Sequence, residues 1–311
     1  MTSKAINKKL CDAKRLLAPL ICLGLTAITL LFGDELKKSI YRGFVFSFTT
    51  VIPALFPFFI LSDVWSAMFI PDKKGKLSLA FEKIFRINSS ALPAFICGLI
   101  CGFPIGVKSA SSLLSENKIT KEEFERLSGF ANNPSLAFVI FGVGAGILGS
   151  VKYGVLLYLC VVFSAILTGI VFRCKKYKSE ETYNNIGQKF DLVNSIKSAG
   201  IASINISSYI VFFSGIIGLI SSLVKSQRIV ALASTLLEVA NAARLLSLCP
   251  SFDLYAKLSL TAFAIGFSGL SVHMQALSFF PQKANIIKYL TMKTIQGIFS
   301  FVIMLVFLIF I

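Results

Sequence analysis

The sequence predicts an all-α integral membrane protein, a polytopic helical bundle, on three observations. Of its 311 residues 55% are hydrophobic and only 15% charged, with a mean hydropathy of +0.79, whereas soluble domains carry about a quarter charged residues. Runs such as 16–32 (LLAPLICLGLTAITLLF), 154–172 (GVLLYLCVVFSAILTGIVF) and 294–311 (TIQGIFSFVIMLVFLIFI) are long enough to cross a ~30 Å hydrocarbon core at ~1.5 Å per residue. The basic residues sit in short linkers between the apolar runs: Lys8, Lys9, Lys14 and Arg15; Lys73, Lys74 and Lys76; Arg173, Lys175, Lys176 and Lys178; Lys283 and Lys288.

That placement explains the formal net charge of +16. Basic clusters flanking apolar spans follow the positive-inside rule, so the lipid bilayer with its anionic headgroups is the expected partner. No nucleic acid is expected, because no binding motif accompanies the charge.

Element by element, 16–33 forms a first span. It has a basic leader but no small-x-small cleavage pattern, and further spans follow, so it reads as a retained signal-anchor with a cytoplasmic N-terminus. A Pro-interrupted apolar segment covers 44–70, with Pro53 and Pro57, and a basic linker covers 71–90. Residues 91–115 are apolar but broken. A more polar helix at 119–131 begins with Thr120 and Glu123 at capping-box spacing. ANNPS (131–135) and a glycine-rich run to 150 precede a full span at 153–172.

The loop 173–190 is the most polar stretch and marks a boundary. Segments 198–224, 229–249 and 254–281 are apolar but interrupted, and 290–311 reads as a clean final span. The chain therefore divides into 1–43 (N-terminal segment and first span), 44–172 (first repeat), 173–190 (basic cytoplasmic loop), 191–281 (second repeat) and 282–311 (last span). TTVIPALFPFFILSDV (49–64) and SINISSYIVFFSGIIG (203–218) echo each other weakly, each followed by interrupted segments. Such pairing points to a repeat-built secondary transporter. Seven cysteines without framework spacing argue against a disulfide scaffold, and Cys97 and Cys101, one turn apart among apolar neighbours, read as packing residues.

Four segments place polar groups deep in apolar context, where a charge costs about 2.5–3.5 kcal/mol on insertion scales. In GFPIGVKSASS, Pro104 removes a donor while Gly102 and Gly106 loosen the backbone; a helix restarting near Gly106 would turn its amides towards an anion, with Lys108 adding a charge. The plain alternative is a kinked helix with Lys108 snorkelling to an interface. In ANNPS, the side chains of Asn132, Asn133 and Ser135 donate or accept beside Pro134, either at a second break or in a surface loop. In LLEVANAARLL, Glu238, Asn241 and Arg244 form a polar stripe, read either as a structural Glu–Arg pairing or as a proton or cation site. In GFSGLSVHMQ, Ser268, Ser271, Gln275 and the single histidine, His273, interrupt an apolar helix; packing competes with cargo contact or proton relay.

With one histidine and no H-E-x-x-H, G-x-S-x-G, P-loop or Rossmann pattern, no enzyme activity, catalytic residue, metal or cofactor is expected.

The ordered set GFPIGVKSASSLLSENKIT (102–120), FANNPSLAFVIFGVG (130–144), LLEVANAA (236–243) and FSGLSVHMQALS (267–278) resembles the nucleoside-recognition (Gate) domain superfamily. Within it, the chain is similar to the sporulation stage V integral membrane family implicated in dipicolinic acid transport, over residues 40 to 300. The resemblance implies two structural repeats, each with a re-entrant hairpin and a broken helix, similar to concentrative nucleoside transporters. It implies dipicolinate as cargo, moved across the outer forespore membrane. By motif it assigns cargo binding to Gly102, Phe103, Pro104, Gly106, Lys108, Asn132, Asn133, Ser135, Glu238, Asn241, Arg244, Ser268, Ser271, His273 and Gln275. One departure is the Asn241-Ala242-Ala243 stretch, where the family pattern has a glycine shortly after the glutamate.

A planar dicarboxylate fits such a site, since two negative charges call for N–H donors and a cation, from a helix N-terminus with Lys108 or Arg244. The expected function is thus a secondary transporter or facilitator of a small organic anion, with a proton or sodium as candidate coupling ion. The alternatives are a nucleoside or other polar-metabolite transporter of the same fold, and a non-transporting membrane scaffold.

Overall fold

The computed structural model describes residues 19, 23, 24, 26–68, 75–174 and 191–310. Much of the expected first span, the start of the 71–90 linker and nearly all of the 173–190 loop lie outside the described residues, with the basic clusters they carry. The described residues are all helical, without strands. Helices α1 (Gly33–Phe46) and α2 (Ile52–Met68) join through a π-helical turn, Ser47–Val51; α3 spans Lys76–Phe85. Then come α4 (Leu92–Ile100), α5 (Ile105–Ser115), α6 (Lys121–Ala131), a π-helical segment at Phe138–Ile147, and α7 (Val151–Val171). The second half holds α8 (Leu192–Leu223), α9 (Gln227–Leu237), α10 (Val239–Leu248), α11 (Leu254–Phe267), α12 (Gly269–Leu277) and α13 (Ile286–Ile309).

Four stretches are long and apolar enough to cross a membrane: Val151–Val171, Leu192–Leu223, Leu254–Leu277 (α11 with α12) and Ile286–Ile309. Counting two bent helix pairs as one span each raises the number to six among the described residues.

Two expectations need correction. Residues 71–90 are not a plain linker: Ser78, Phe81 and Phe85 lie on one face of α3 and are buried. The Phe81 and Phe85 rings pack on Phe95, and Phe85 also stacks on Phe130 at 4.9 Å. Aromatic burial at helical spacing overrides the local basic composition. Nor is 198–224 interrupted, since it belongs to the single continuous helix α8; the last span is continuous as expected, and it buries Lys293 and Gln296.

Helix α6 organises one end of the bundle. Thr120 and Glu123 close the expected capping box, and the Glu123 carboxylate also accepts from the Asn88 amide at 2.9 Å. Arg126, buried on the same helix, donates through Nε to the Phe172 carbonyl at 3.0 Å, through Nη1 to that of Arg86 at 3.2 Å, and through Nη2 to that of Phe85. It thereby caps the exposed carbonyl ends of α3 and α7, satisfying groups every helix terminus leaves open. At the same end the Asn285 amide donates to Glu125, and Phe280 meets Phe124 edge-on at 5.2 Å.

Small residues set the closest helix crossings. A Cβ on Gly266 of α11 would come within 3.0 Å of the Gly297 Cα on α13. On α4 and α5, a Cβ at either Gly98 or Gly106 would overlap the Ala131 carbonyl oxygen. The two arms of that hairpin therefore clasp the end of α6.

Candidate functional site

Four helix breaks meet in the interior. The first lies between α4 and α5, where Gly102 takes φ +89° and the Phe103–Pro104 bond is cis. The helix restarts at Ile105, one residue before the glycine that sequence suggested. A Cβ on Gly102 would stand 2.6 Å from the Ser135 amide nitrogen, so this glycine is required both by its conformation and by its neighbour.

That neighbour belongs to the second break, residues 132–135. Asn132 ends α6, the Asn133 side-chain amide donates to the Phe130 carbonyl at 2.7 Å, and Ser135 Oγ accepts from the Phe138 amide at 3.1 Å. Local side-chain hydrogen bonds replace the ladder bonds that Pro134 removes.

The third break falls at Glu238, an extended residue between α9 and α10. Its carboxylate accepts from the Ala240 amide (2.9 Å), the Asn241 amide (2.7 Å) and the Asn241 side chain (2.9 Å). Asn241 also donates to Ser214 Oγ at 2.9 Å. The expected stripe of Glu238, Asn241 and Arg244 along one helix is therefore corrected: Glu238 is the N-cap of α10, because its acceptors serve the first-turn amides. Arg244 lies further along α10, half-buried.

The fourth break pairs Ser268 (φ +79°) with Gly269 (φ +68°) between α11 and α12. A Cβ on Gly269 would lie 3.1 Å from the Leu237 carbonyl and 3.2 Å from the Glu238 amide. Within each half of the chain, then, the two breaks touch.

Three of the breaks, with the helix that follows the fourth, line one cleft. Gly102 and Phe103 come from the first, Ser135 from the second, Glu238 from the third, and Ser271 and Gln275 from α12 after the fourth, with Val51, Leu55, Ile206 and Ile210 as apolar wall. It offers about 20 Å³ to the centre of a water molecule, room for about one water. An aromatic solute enters only if the breaks part. Glu238 is the one acidic or basic side chain among its described lining residues.

The remaining sequence candidates are placed differently. Lys108 is exposed on α5 and does not line the cleft; its position one turn past the restart turns its side chain outward. Gly106 packs on Ala131. Asn132, Asn133, Ser268 and His273 are fully buried behind the cleft.

There they join residues that sequence reasoning missed. The Asn132 amide donates to the Tyr289 hydroxyl at 2.8 Å, and His273 Nδ1 lies 3.1 Å from the same oxygen. Lys293 Nζ donates to the Asn132 main-chain carbonyl and to Gln296 Oε1, each at 2.7 Å. Gln296 Nε2 donates onward to Asn133 Oδ1 at 2.6 Å. A signal was present in the sequence: Tyr289, Lys293 and Gln296 recur at i, i+4 and i+7 on an apolar helix. Asn132 Oδ1, His273 Nε2 and Gln275 Oε1 stay buried without a partner among the described residues. No group of three or more His, Cys, Asp or Glu side chains is arranged to hold a metal ion among those residues.

Apolar spans around an interior of broken helices and polar side chains define a multi-pass integral membrane protein. Over 132 residues, 42% of the chain, it is 31% identical to the sporulation integral membrane protein YlbJ of Bacillus subtilis (strain 168). The match spans about a third of that relative's length, 32%. No protein-family model and no solved structure matches the chain.

Proposed function

We propose that the chain is a secondary transporter or facilitator of a small organic anion, with dipicolinate as the named cargo, acting in the membranes of sporulating cells. The observation that carries the transport reading is the convergence of three helix breaks, with the helix that follows the fourth, on one cleft. Irregular backbone persists at membrane depth only where protein buries it or a cavity borders it, and repeat-built transporters place their cargo where discontinuous helices meet.

Connectivity supports two inverted repeats. The arms α4 and α5 begin and end together, since Ser90 Oγ donates to the Lys118 carbonyl, at the end of the bundle organised by α6. The arms α9 and α10 also begin and end together, with the Arg228 guanidinium 5.3 Å above the Phe252 ring. Phe252 leads directly into α11, and the Leu254–Leu277 span finishes beside Phe280 and Phe124 at the α6 end. The second hairpin thus opens at the opposite end from the first. Each half reads as a re-entrant hairpin, a broken helix (α6 with the π segment, or α11 with α12) and a continuous span (α7 or α13), in opposite directions.

The anion and its identity rest on the motif resemblance, and the sporulating-cell setting rests on the sporulation relative. A second reading, a neutral hydrogen-bonding solute such as a nucleoside, is favoured by the lining itself. Glu238 and the unpartnered Gln275 Oε1 are acceptors, and no basic side chain accompanies them there.

Uptake of labelled dipicolinate and of labelled nucleosides into proteoliposomes tests both. Dipicolinate uptake above empty liposomes, unchanged in Lys108→Ala, is the expected result. Nucleoside uptake alone would transfer the assignment to the second reading. No uptake of either solute would leave the membrane-scaffold alternative.

A further inference from the structure

We propose that the Lys293 ammonium is a built-in cation that occupies the place of a coupling sodium ion, so that the protein works without sodium. The proposal concerns the coupling of the cleft described above and rests, for its transport arm, on the transporter reading.

Lys293 is 0% exposed in the second turn of the apolar helix α13. A charge so placed calls for compensation, and among the described residues no carboxylate pairs with it. Its two described partners are uncharged oxygens, the Asn132 main-chain carbonyl and Gln296 Oε1. Asn132 is the residue that ends α6, so the ammonium sits against the carbonyl end of a helix, where the partial charges of the peptide dipoles are negative. Unwound carbonyls and half-helix C-termini are the groups with which broken-helix transporters coordinate sodium. Amide oxygens and main-chain carbonyls are also hard ligands suited to an alkali cation.

A second observation points the same way. Asn132 Oδ1 is fully buried on the same residue and has no donor among the described residues. The break therefore holds one buried acceptor that no described protein donor satisfies, as a cation site would. Gln296, held by Asn133 on its amide side, turns its oxygen to the ammonium. The break, the cation and α13 are thereby joined into one unit.

Thermal unfolding of the purified protein in nanodiscs tests this at constant pH and ionic strength. The wild type is expected to unfold at the same temperature in sodium and in choline chloride. Lys293→Ala is expected to lose several degrees, and to recover most of the loss in propylammonium or sodium, which restore the cation. Lys293→Met, which fills the space without the charge, is expected to lose stability and not to recover in propylammonium.

A wild-type midpoint several degrees higher in sodium than in choline overturns the proposal. So does a Lys293→Met protein as stable as the wild type, or a Lys293→Ala protein indifferent to both cations. Should neither variant fold, the sodium-against-choline comparison on the wild type still decides. In proteoliposomes, uptake driven by the solute gradient is expected to be equal in sodium and choline, and sodium dependence would overturn the proposal. Absence of all uptake would remove the transport reading while the thermal result continued to judge the cation site.

Discussion

The side-chain amide of Asn132 donates to the Tyr289 hydroxyl at 2.8 Å, although 157 residues separate them. This bond fastens the break in the first half of the chain to the last span, and the same hydroxyl lies 3.1 Å from His273 Nδ1 in the second half. One oxygen thus ties three segments together in a fully buried interior.

Tyr289→Phe removes that oxygen and little else. It strands a fully buried amide, which costs about 1–3 kcal/mol. Heat-induced unfolding in detergent should show a lower midpoint. Because both changes act on one network, Tyr289→Phe and His273→Ala together should cost less than the sum of the two. An unchanged midpoint in Tyr289→Phe would mean the hydroxyl holds nothing.

Gly102 and Gly149 both take positive φ, but only Gly102 is crowded. A Cβ there meets the Ser135 amide at 2.6 Å, whereas at Gly149 (φ +66°) nothing lies within 4 Å. Gly149→Ala should cost only the left-handed penalty of about 1–2 kcal/mol. Gly102→Ala should cost distinctly more and abolish any uptake, since the first two breaks can no longer touch. Equal stabilities of the two variants would refute that contact.

Arg126 holds three carbonyls from two helix ends. Arg126→Ala leaves all three without their donor in a buried setting, with an expected loss of about 1–3 kcal/mol for each carbonyl left unsatisfied. Arg126→Lys should fall between, because an ammonium lacks the planar fork that reaches three acceptors. Size-exclusion profiles of the expressed variants report this ranking, and a monodisperse Arg126→Ala at wild-type yield would contradict it.

The proposed inverted repeats predict opposed accessibility. Asn117 follows α5 and Ser251 follows α10, and both are exposed. In a background stripped of native cysteines, Asn117→Cys and Ser251→Cys should react with a membrane-impermeant maleimide from opposite sides of the bilayer. Labelling of both from one side would rule out the inverted arrangement.

Much of this was legible in the chain. Long apolar runs identified the spans at 153–172 and 290–311, found as Val151–Val171 and Ile286–Ile309, while the continuous helix Leu192–Leu223 reads in sequence as an interrupted segment at 198–224; the Thr120–Glu123 capping box placed the start of α6, because hydropathy and end-capping are local properties. The four breaks were legible for the same reason: Pro104, Pro134 and the glycines at 102 and 269 act on their own backbone, and Glu238 announced itself as a carboxylate in an apolar segment.

What the side chains face was decided by tertiary packing. Lys108 and Lys293 look alike in sequence, each a lone cation in apolar surroundings, yet one is exposed and the other lies at 0% exposure against the end of α6. Glu238 reads in sequence as one member of a helical stripe; the extended backbone at 238 makes it the cap of α10. Sequence by itself determined that this is a helical membrane protein with polar interruptions. Only the tertiary structure decided which interruptions share a cleft and which cation is buried. A helix buries a given face only when another helix covers it, and those partners lie more than a hundred residues away.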